Sequence, residues 1–124
     1  MNLLLDTHAF IWWRGDATRL SAVARDTIGN AKAIFVSMAS AWEAAIKISV
    51  GRLRIGDSFA AGIALSGFQE LPITFAHTER VIALPHHHRD PFDRMLIAQA
   101  QTDGLTLVTR DRRFAAYDVP VVWA

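Results

Sequence analysis

Four acidic residues stand where a carboxylate is hard to dismiss as ordinary surface charge. Asp6 ends the apolar run Asn2–Leu5, Glu43 lies in the stretch Ser40–Lys47, Asp93 follows the pair Asp90-Pro91, and Asp111 sits just past the run Leu105–Thr109. Each has a structural explanation when taken alone. Glu43 can complete a capping box with Ser40, Asp93 can complement a helix dipole, Asp90 can cap the helix that Pro91 opens, and Asp111 can serve a turn or cap. Asp6 resists such an explanation, because an acid ending a buried strand is costly unless it is paired or binds something. Gathered at one edge, the four would repel one another strongly unless a cation neutralised them. Carboxylate-only ligation suits a hard divalent ion, Mg²⁺ or Mn²⁺, and not zinc.

Such a gathering depends on the elements that carry the acids. Short apolar runs predict strands at Asn2–Leu5, Ala33–Ser37, Leu71–Ile73, Leu105–Thr109 and Val119–Trp123. Helical spacing and caps predict helices over Thr7–Trp13, from Ser21 to Asn30, from Ser40 to about Val50, from Ser58 to near Gly67, from Thr74 toward Leu84, and from Asp90 to Gly104. The last of these turns Phe92, Leu96, Ile97 and Ala100 inward. Arg52–Gly56 is a connector, and Pro85–Arg89 is a histidine-rich loop. Strands alternating with helices imply a central parallel sheet of about five strands in a three-layer α/β/α sandwich, one domain over residues 1–124. Ligands of such sheets bind beyond the carboxyl ends of the strands. That edge receives Asp6, Glu43 and Asp111 directly, whereas Asp93 needs its helix to bring its N-terminus round.

Composition narrows the classes. The chain has 124 residues, 52% hydrophobic and 20% charged, which fits a packed core and excludes a disordered chain. It has no cysteine, so disulfide scaffolds, thiolate zinc sites and cysteine nucleophiles are excluded. The longest charge-free stretch, Ser58 to Gln69, is short of the roughly 20 apolar residues of a membrane span. No basic region precedes the apolar start, so a signal peptide is not expected and the chain is expected in the cytoplasm. The net charge of +1 leaves any polyanion to be met by local arginines.

Four segments occur in a telling order: LLLDTHAFIWW, SMASAWEAAIKISVGRL, LPHHHRDPFDRMLIAQA and LTLVTRDRRF. Together they resemble the PIN-domain ribonucleases, in particular the VapC-type toxins of bacterial toxin–antitoxin pairs, over nearly the whole chain. The resemblance implies a parallel sheet in the order 3-2-1-4-5 and a metal-dependent endoribonuclease acting on RNA phosphodiesters. It implies that Asp6, Glu43 and Asp93 hold the main Mg²⁺ or Mn²⁺ and that Asp111 completes the cluster or holds a second ion. Asp90 would support the set, and Thr7 and Thr109 would offer hydroxyls to it. Phosphodiester hydrolysis needs an in-line water and neutralisation of the phosphate, both of which such ions provide. The resemblance also implies a homodimer and a cognate antitoxin that inhibits the enzyme.

Eleven arginines against two lysines suit phosphate recognition, since the guanidinium can bond bidentately. Arg89 and Arg94 flank the Asp90/Asp93 pair, and Arg110, Arg112 and Arg113 flank Asp111, so these five are the RNA-binding candidates. His86, His87 and His88 read as a loop beside the site and not as ligands, because three consecutive side chains do not easily face one ion. His8 is read as packing. Trp42 and Trp123 read as core. Trp12 and Trp13 are neighbours about 100° apart on a helix, so one is partly exposed, at an antitoxin or dimer surface. Two other readings compete: a non-catalytic RNA- or protein-binding module of the same fold, and a phosphoacceptor protein. The second is disfavoured, because position 8 is His where a second acid would stand and the only lysines, Lys32 and Lys47, come early.

Overall fold

A computed structural model describes all 124 residues. In chain order the elements are β1 (Asn2–Leu5), α1 (Thr7–Gly15), α2 (Ala22–Asn30), β2 (Ala33–Ser37), α3 (Met38–Ser49), α4 (Phe59–Ser66), β3 (Gln69–Leu71), α5 (Phe75–Ala83), α6 (Pro91–Asp103), β4 (Thr106–Thr109) and β5 (Val121–Trp123). Short 3-10 turns cover Ala17–Arg19 and Arg112–Ala116. All strand pairs are parallel, in the order β3-β2-β1-β4-β5, as the resemblance implies.

β1 is the centre of the sheet, and its side chains show why. Leu3, Leu4 and Leu5 are all fully buried, but alternation along a strand sends them to opposite faces. Leu3 and Leu5 join a cluster with Phe10, Ala24, Ile28 and Ile63 from α1, α2 and α4. Leu4 joins a second cluster with Leu96, Ile97, Leu107 and Phe114, which packs α6 on the other face. A strand buried on both faces needs a continuous apolar run, and Asn2–Leu5 supplies one. The run ends where the backbone turns into α1, and Asp6 is the N-cap of that helix, accepting from Ala9 N at 2.8 Å.

Four expectations need correction. β3 lies at Gln69–Leu71, pairing Phe35, Val36 and Ser37 with Gln69, Glu70 and Leu71, and it stops before Pro72. β2 ends at Ser37, opposite Leu71, and α3 starts at Met38, so no partner strand remains for Ile73, and Pro72 offers no N–H of its own to the ladder. α3 begins at Met38, capped by the Ser37 side chain on Ala39 N, which leaves no capping box for Ser40 and Glu43. Trp42 is 62% exposed instead of buried, and it meets the half-buried Phe92 edge to face at 5.1 Å. Phe92 is therefore turned less fully inward than Leu96, Ile97 and Ala100, which are buried as predicted. No helix is long and apolar enough to cross a membrane.

Candidate metal centre

The acids arrive at the carboxyl edge of the sheet from four elements. Asp6 caps α1 directly after β1, Glu43 lies one turn into α3, Asp93 lies in the first turn of α6, and Asp111 caps the turn after β4. The uncertain member was Asp93. Asp90 accepts from Phe92 N at 2.8 Å and Asp93 N at 3.2 Å, so it caps α6 and aims the first turn at the edge. Asp90 is therefore the cap its pairing with Pro91 predicts.

Hydroxyls orient two of the carboxylates. Thr7 Oγ1 donates to Glu43 Oε1 at 2.6 Å, and Thr109 Oγ1 donates to Asp6 Oδ2 at 2.7 Å. Thr109 Oγ1 also accepts from Asp111 N at 3.1 Å, linking the Asp6 carboxylate and the Asp111 backbone through one side chain. Both threonine protons thus face carboxylates. Lys47 Nζ stands 3.2 Å from Glu43 Oε2, the i,i+4 neighbour on α3.

Charge in this cluster is unbalanced. Burial, then the charges of Asp90, Asp6, Glu43 and Asp111, push the Asp93 carboxyl from 3.8 up to about 8. Burial also raises Asp6, against the pull of its bonds from Thr109 and Ala9. Asp111 goes the other way, to about 2, chiefly because the Arg113 guanidinium bonds it at 2.9 to 3.2 Å. Of the buried or half-buried Asp6, Glu43 and Asp93, Glu43 alone has a lysine or arginine partner, Lys47, so the three form an oxygen donor set short of positive charge. That set fits a hard divalent cation.

The arginines divide. Arg94, one of the five RNA-binding candidates, is buried and bonded to backbone carbonyls, with Nη1 on Pro85 O (2.8 Å) and Nη2 on Val81 O (3.2 Å) and Leu84 O (3.4 Å). It neighbours Asp93 in sequence, but one helical step of about 100° turns it away from the acids toward the end of α5. Arg113 is engaged by Asp111. Arg110 lies 4.2 Å over the Trp12 ring and Arg112 lies 4.2 Å over the Trp123 ring. Arg89 is exposed. Trp12 and Trp13 are both half-buried, Trp13 against Phe68 and Trp12 beside His8. Asp6, His8, Trp12, Arg110 and Asp111 line an open pocket of about 310 Å³.

One residue of the site escaped the sequence reading. His88 is buried at 1% exposure, and its Nε2 lies 3.0 Å from Oδ2 of both Asp93 and Asp111. The available signal was its position two residues before the α6 cap, from which a side chain folds back onto the cap's own N–H. Its neighbours His86 and His87 are exposed.

The family model described as PIN domain matches residues 3–120. Ribonuclease VapC22 of Mycobacterium tuberculosis is 33% identical over 133 residues, covering 98% of each chain. Among solved structures, VapBC2 from Rickettsia felis bound to a promoter DNA fragment matches with a TM-score of 0.71 at 14% identity, covering 99% of this chain and 98% of that one. A toxin-antitoxin complex from Klebsiella pneumoniae matches with a TM-score of 0.65 at 23% identity, covering 97% and 95%. The structural matches establish the fold, the sequence match runs end to end, and together with the family model they make the chain a member of the PIN domain family, related along its full length to a VapC ribonuclease.

Proposed function

We propose that this protein is a divalent-metal-dependent endoribonuclease, the toxin of a toxin–antitoxin pair. The observation that carries the reading is the convergence of Asp6, Glu43 and Asp93 on one edge, short of positive charge and with the Asp93 carboxyl pushed up to about 8. Its full-length similarity to a protein named a ribonuclease supports the same chemistry. The structural neighbours described as toxin–antitoxin complexes support an antitoxin partner.

In this proposal Asp6, Glu43 and Asp93 hold Mg²⁺ or Mn²⁺. Asp111 and Asp90 border the set. When bound, the ion neutralises the phosphate and makes water a better nucleophile at neutral pH. The chain's own part is preorganisation. Thr7 keeps Glu43 in one orientation, and Thr109 does the same for Asp6. Asp93 must release its proton before it can ligate, so metal binding is accompanied by proton release. Arg112 presents its guanidinium edge, and Arg110 its Nη1, to the RNA backbone while their faces rest on tryptophan, and Arg89 adds a third cation. Trp13 and the outer part of Trp12 belong to a surface for the antitoxin or for a second copy of the chain.

The test is single-turnover cleavage of labelled total RNA by wild type and Asp6→Asn, each with Mg²⁺, Mn²⁺ or EDTA, after denaturing and refolding to strip any antitoxin. Cleavage that needs the metal and falls by at least about 10³-fold in Asp6→Asn is expected. Folded wild type that binds RNA but never cuts it would point instead to a binding module.

A further inference from the structure

His88 Nε2 and one oxygen each of Asp93 and Asp111 lie within 4.8 Å of one another, the spacing of a three-ligand cluster with a nitrogen in it. The hydrogen bonds around the ring argue against that arrangement. A ligating Nε2 needs its lone pair, so the proton would have to sit on Nδ1. Nδ1, however, accepts the backbone N–H of Asp90 at 3.2 Å. Two hydrogens cannot share that position, so the proton is on Nε2 and points at the acids. The Nε2–H bond runs to Asp111 Oδ2, with Asp93 Oδ2 at the same 3.0 Å.

The loop leaves the ring no second pose. Tyr117 Oη accepts from His87 N at 3.1 Å and from His88 N at 2.9 Å, and donates to Pro85 O at 2.7 Å. The imidazole stands edge-on to Phe114 at 5.6 Å, and its side chain is fully enclosed. A flipped ring would aim carbon at two carboxylates and leave the Asp90 N–H unpaired. His88 Nε2, 3.0 Å away, is the one basic side-chain nitrogen in contact with the Asp93 carboxylate, whereas Asp111 also has Arg113.

We propose that His88 is a positioning residue of the metal centre: its Nε2–H, hydrogen-bonded to Asp111 and 3.0 Å from Asp93 Oδ2, holds the two carboxylates side by side and does not itself ligate the ion. This rests on the reading of the acids as a metal site. Donors behind metal-binding carboxylates tune affinity strongly, by about 10- to 100-fold on removal.

The experiment is Mn²⁺ titration by calorimetry, without RNA, of wild type, His88→Leu and His88→Gln, with electron spin-echo spectra of the Mn²⁺-bound proteins. Leucine and glutamine both lose the Phe114 contact, but only glutamine keeps an N–H at the depth of Nε2, so their difference isolates the donor. The wild-type spectrum is expected to lack directly coordinated imidazole nitrogen. His88→Leu is expected to bind Mn²⁺ at least about 10-fold more weakly, and His88→Gln to stay within about threefold of wild type. An imidazole-nitrogen coupling, a His88→Leu affinity equal to wild type, or a His88→Gln affinity as weak as that of His88→Leu would overturn the inference. Should His88→Leu fail to fold, the nitrogen signature and the glutamine variant decide. A wild type that does not bind Mn²⁺ would overturn the metal-dependent reading itself, and this inference with it.

Discussion

Asp93 and Asp111 share one histidine and yet titrate in opposite directions, and the difference yields a pH prediction. Asp93 is raised from 3.8 to about 8, so between those values the folded protein keeps a proton that the unfolded chain has released. The folded state then binds more protons, and stability falls as pH rises through that window. Asp111 is lowered to about 2, so its contribution is complete above 3.8 and is lost only as pH falls through about 2. The two windows do not overlap. In EDTA the melting temperature is expected to drop between about pH 5 and pH 8 beyond what Asp93→Asn shows, and Asp93→Asn is expected to melt higher than wild type at the upper end. Saturating Mn²⁺ should restore wild type there and do little for Asp93→Asn. Thermal melts across pH check this, and equal slopes for the two proteins would refute it. The acids were legible in the sequence because their type and their places after strands or in helix starts suffice to nominate them. His88 was not, because its role depends on Tyr117, 29 residues away, pinning the loop backbone.

Arg94 shows how an element, and not a neighbour in sequence, decides a side chain's work. Its fork closes the end of α5, bonding three carbonyls at Val81, Leu84 and Pro85 as well as Tyr117 Oη. Helix ends leave carbonyls unpaired, and a cation there satisfies both the bonds and the dipole. Arg94→Ala is expected to lower stability by about 3 kcal/mol, because buried acceptors lose their donor. Arg94→Lys should recover only part, since an ammonium cannot span the fork. Urea denaturation measures this, and RNA affinity in an Asp6→Asn background is expected to stay unchanged. Lost RNA affinity at unaltered stability would return Arg94 to the RNA-binding set. Elements were legible where one local rule governs them, as at the Asp90-Pro91 start of α6. They were misplaced where a partner strand decides. β3 could be located only from its pairing with Phe35, Val36 and Ser37, and α3 started early because Ser37 ends β2 and caps the helix at once.

At the scale of the whole molecule, the near balance of charge limits how RNA can be held. A net charge of +1 produces no long-range positive field, and the acidic edge would repel a phosphate chain. Affinity must then come from the few cations that lack a carboxylate partner near the edge. Arg94 is buried and Arg113 is paired, which leaves Arg89, Arg110 and Arg112 of the five. The stacks on Trp12 and Trp123 use the faces of Arg110 and Arg112; Arg110 also gives Nε to Ala124 O and Nη2 to Arg19 O, so Nη1 is its edge group left for phosphate. Counterion release scales with the number of phosphates neutralised, at about 0.7 per contact for a single strand. Three contacts predict that the logarithm of the association constant falls with a slope of about −2 against the logarithm of salt concentration. Fluorescence anisotropy of labelled single-stranded RNA with Asp6→Asn, between about 50 and 200 mM salt, measures it. Arg112→Ala should make the slope shallower by about 0.7, and Arg94→Ala should leave it alone. A slope steeper than about −5 would mean that a much broader basic surface binds the RNA, and the three-arginine account would fail.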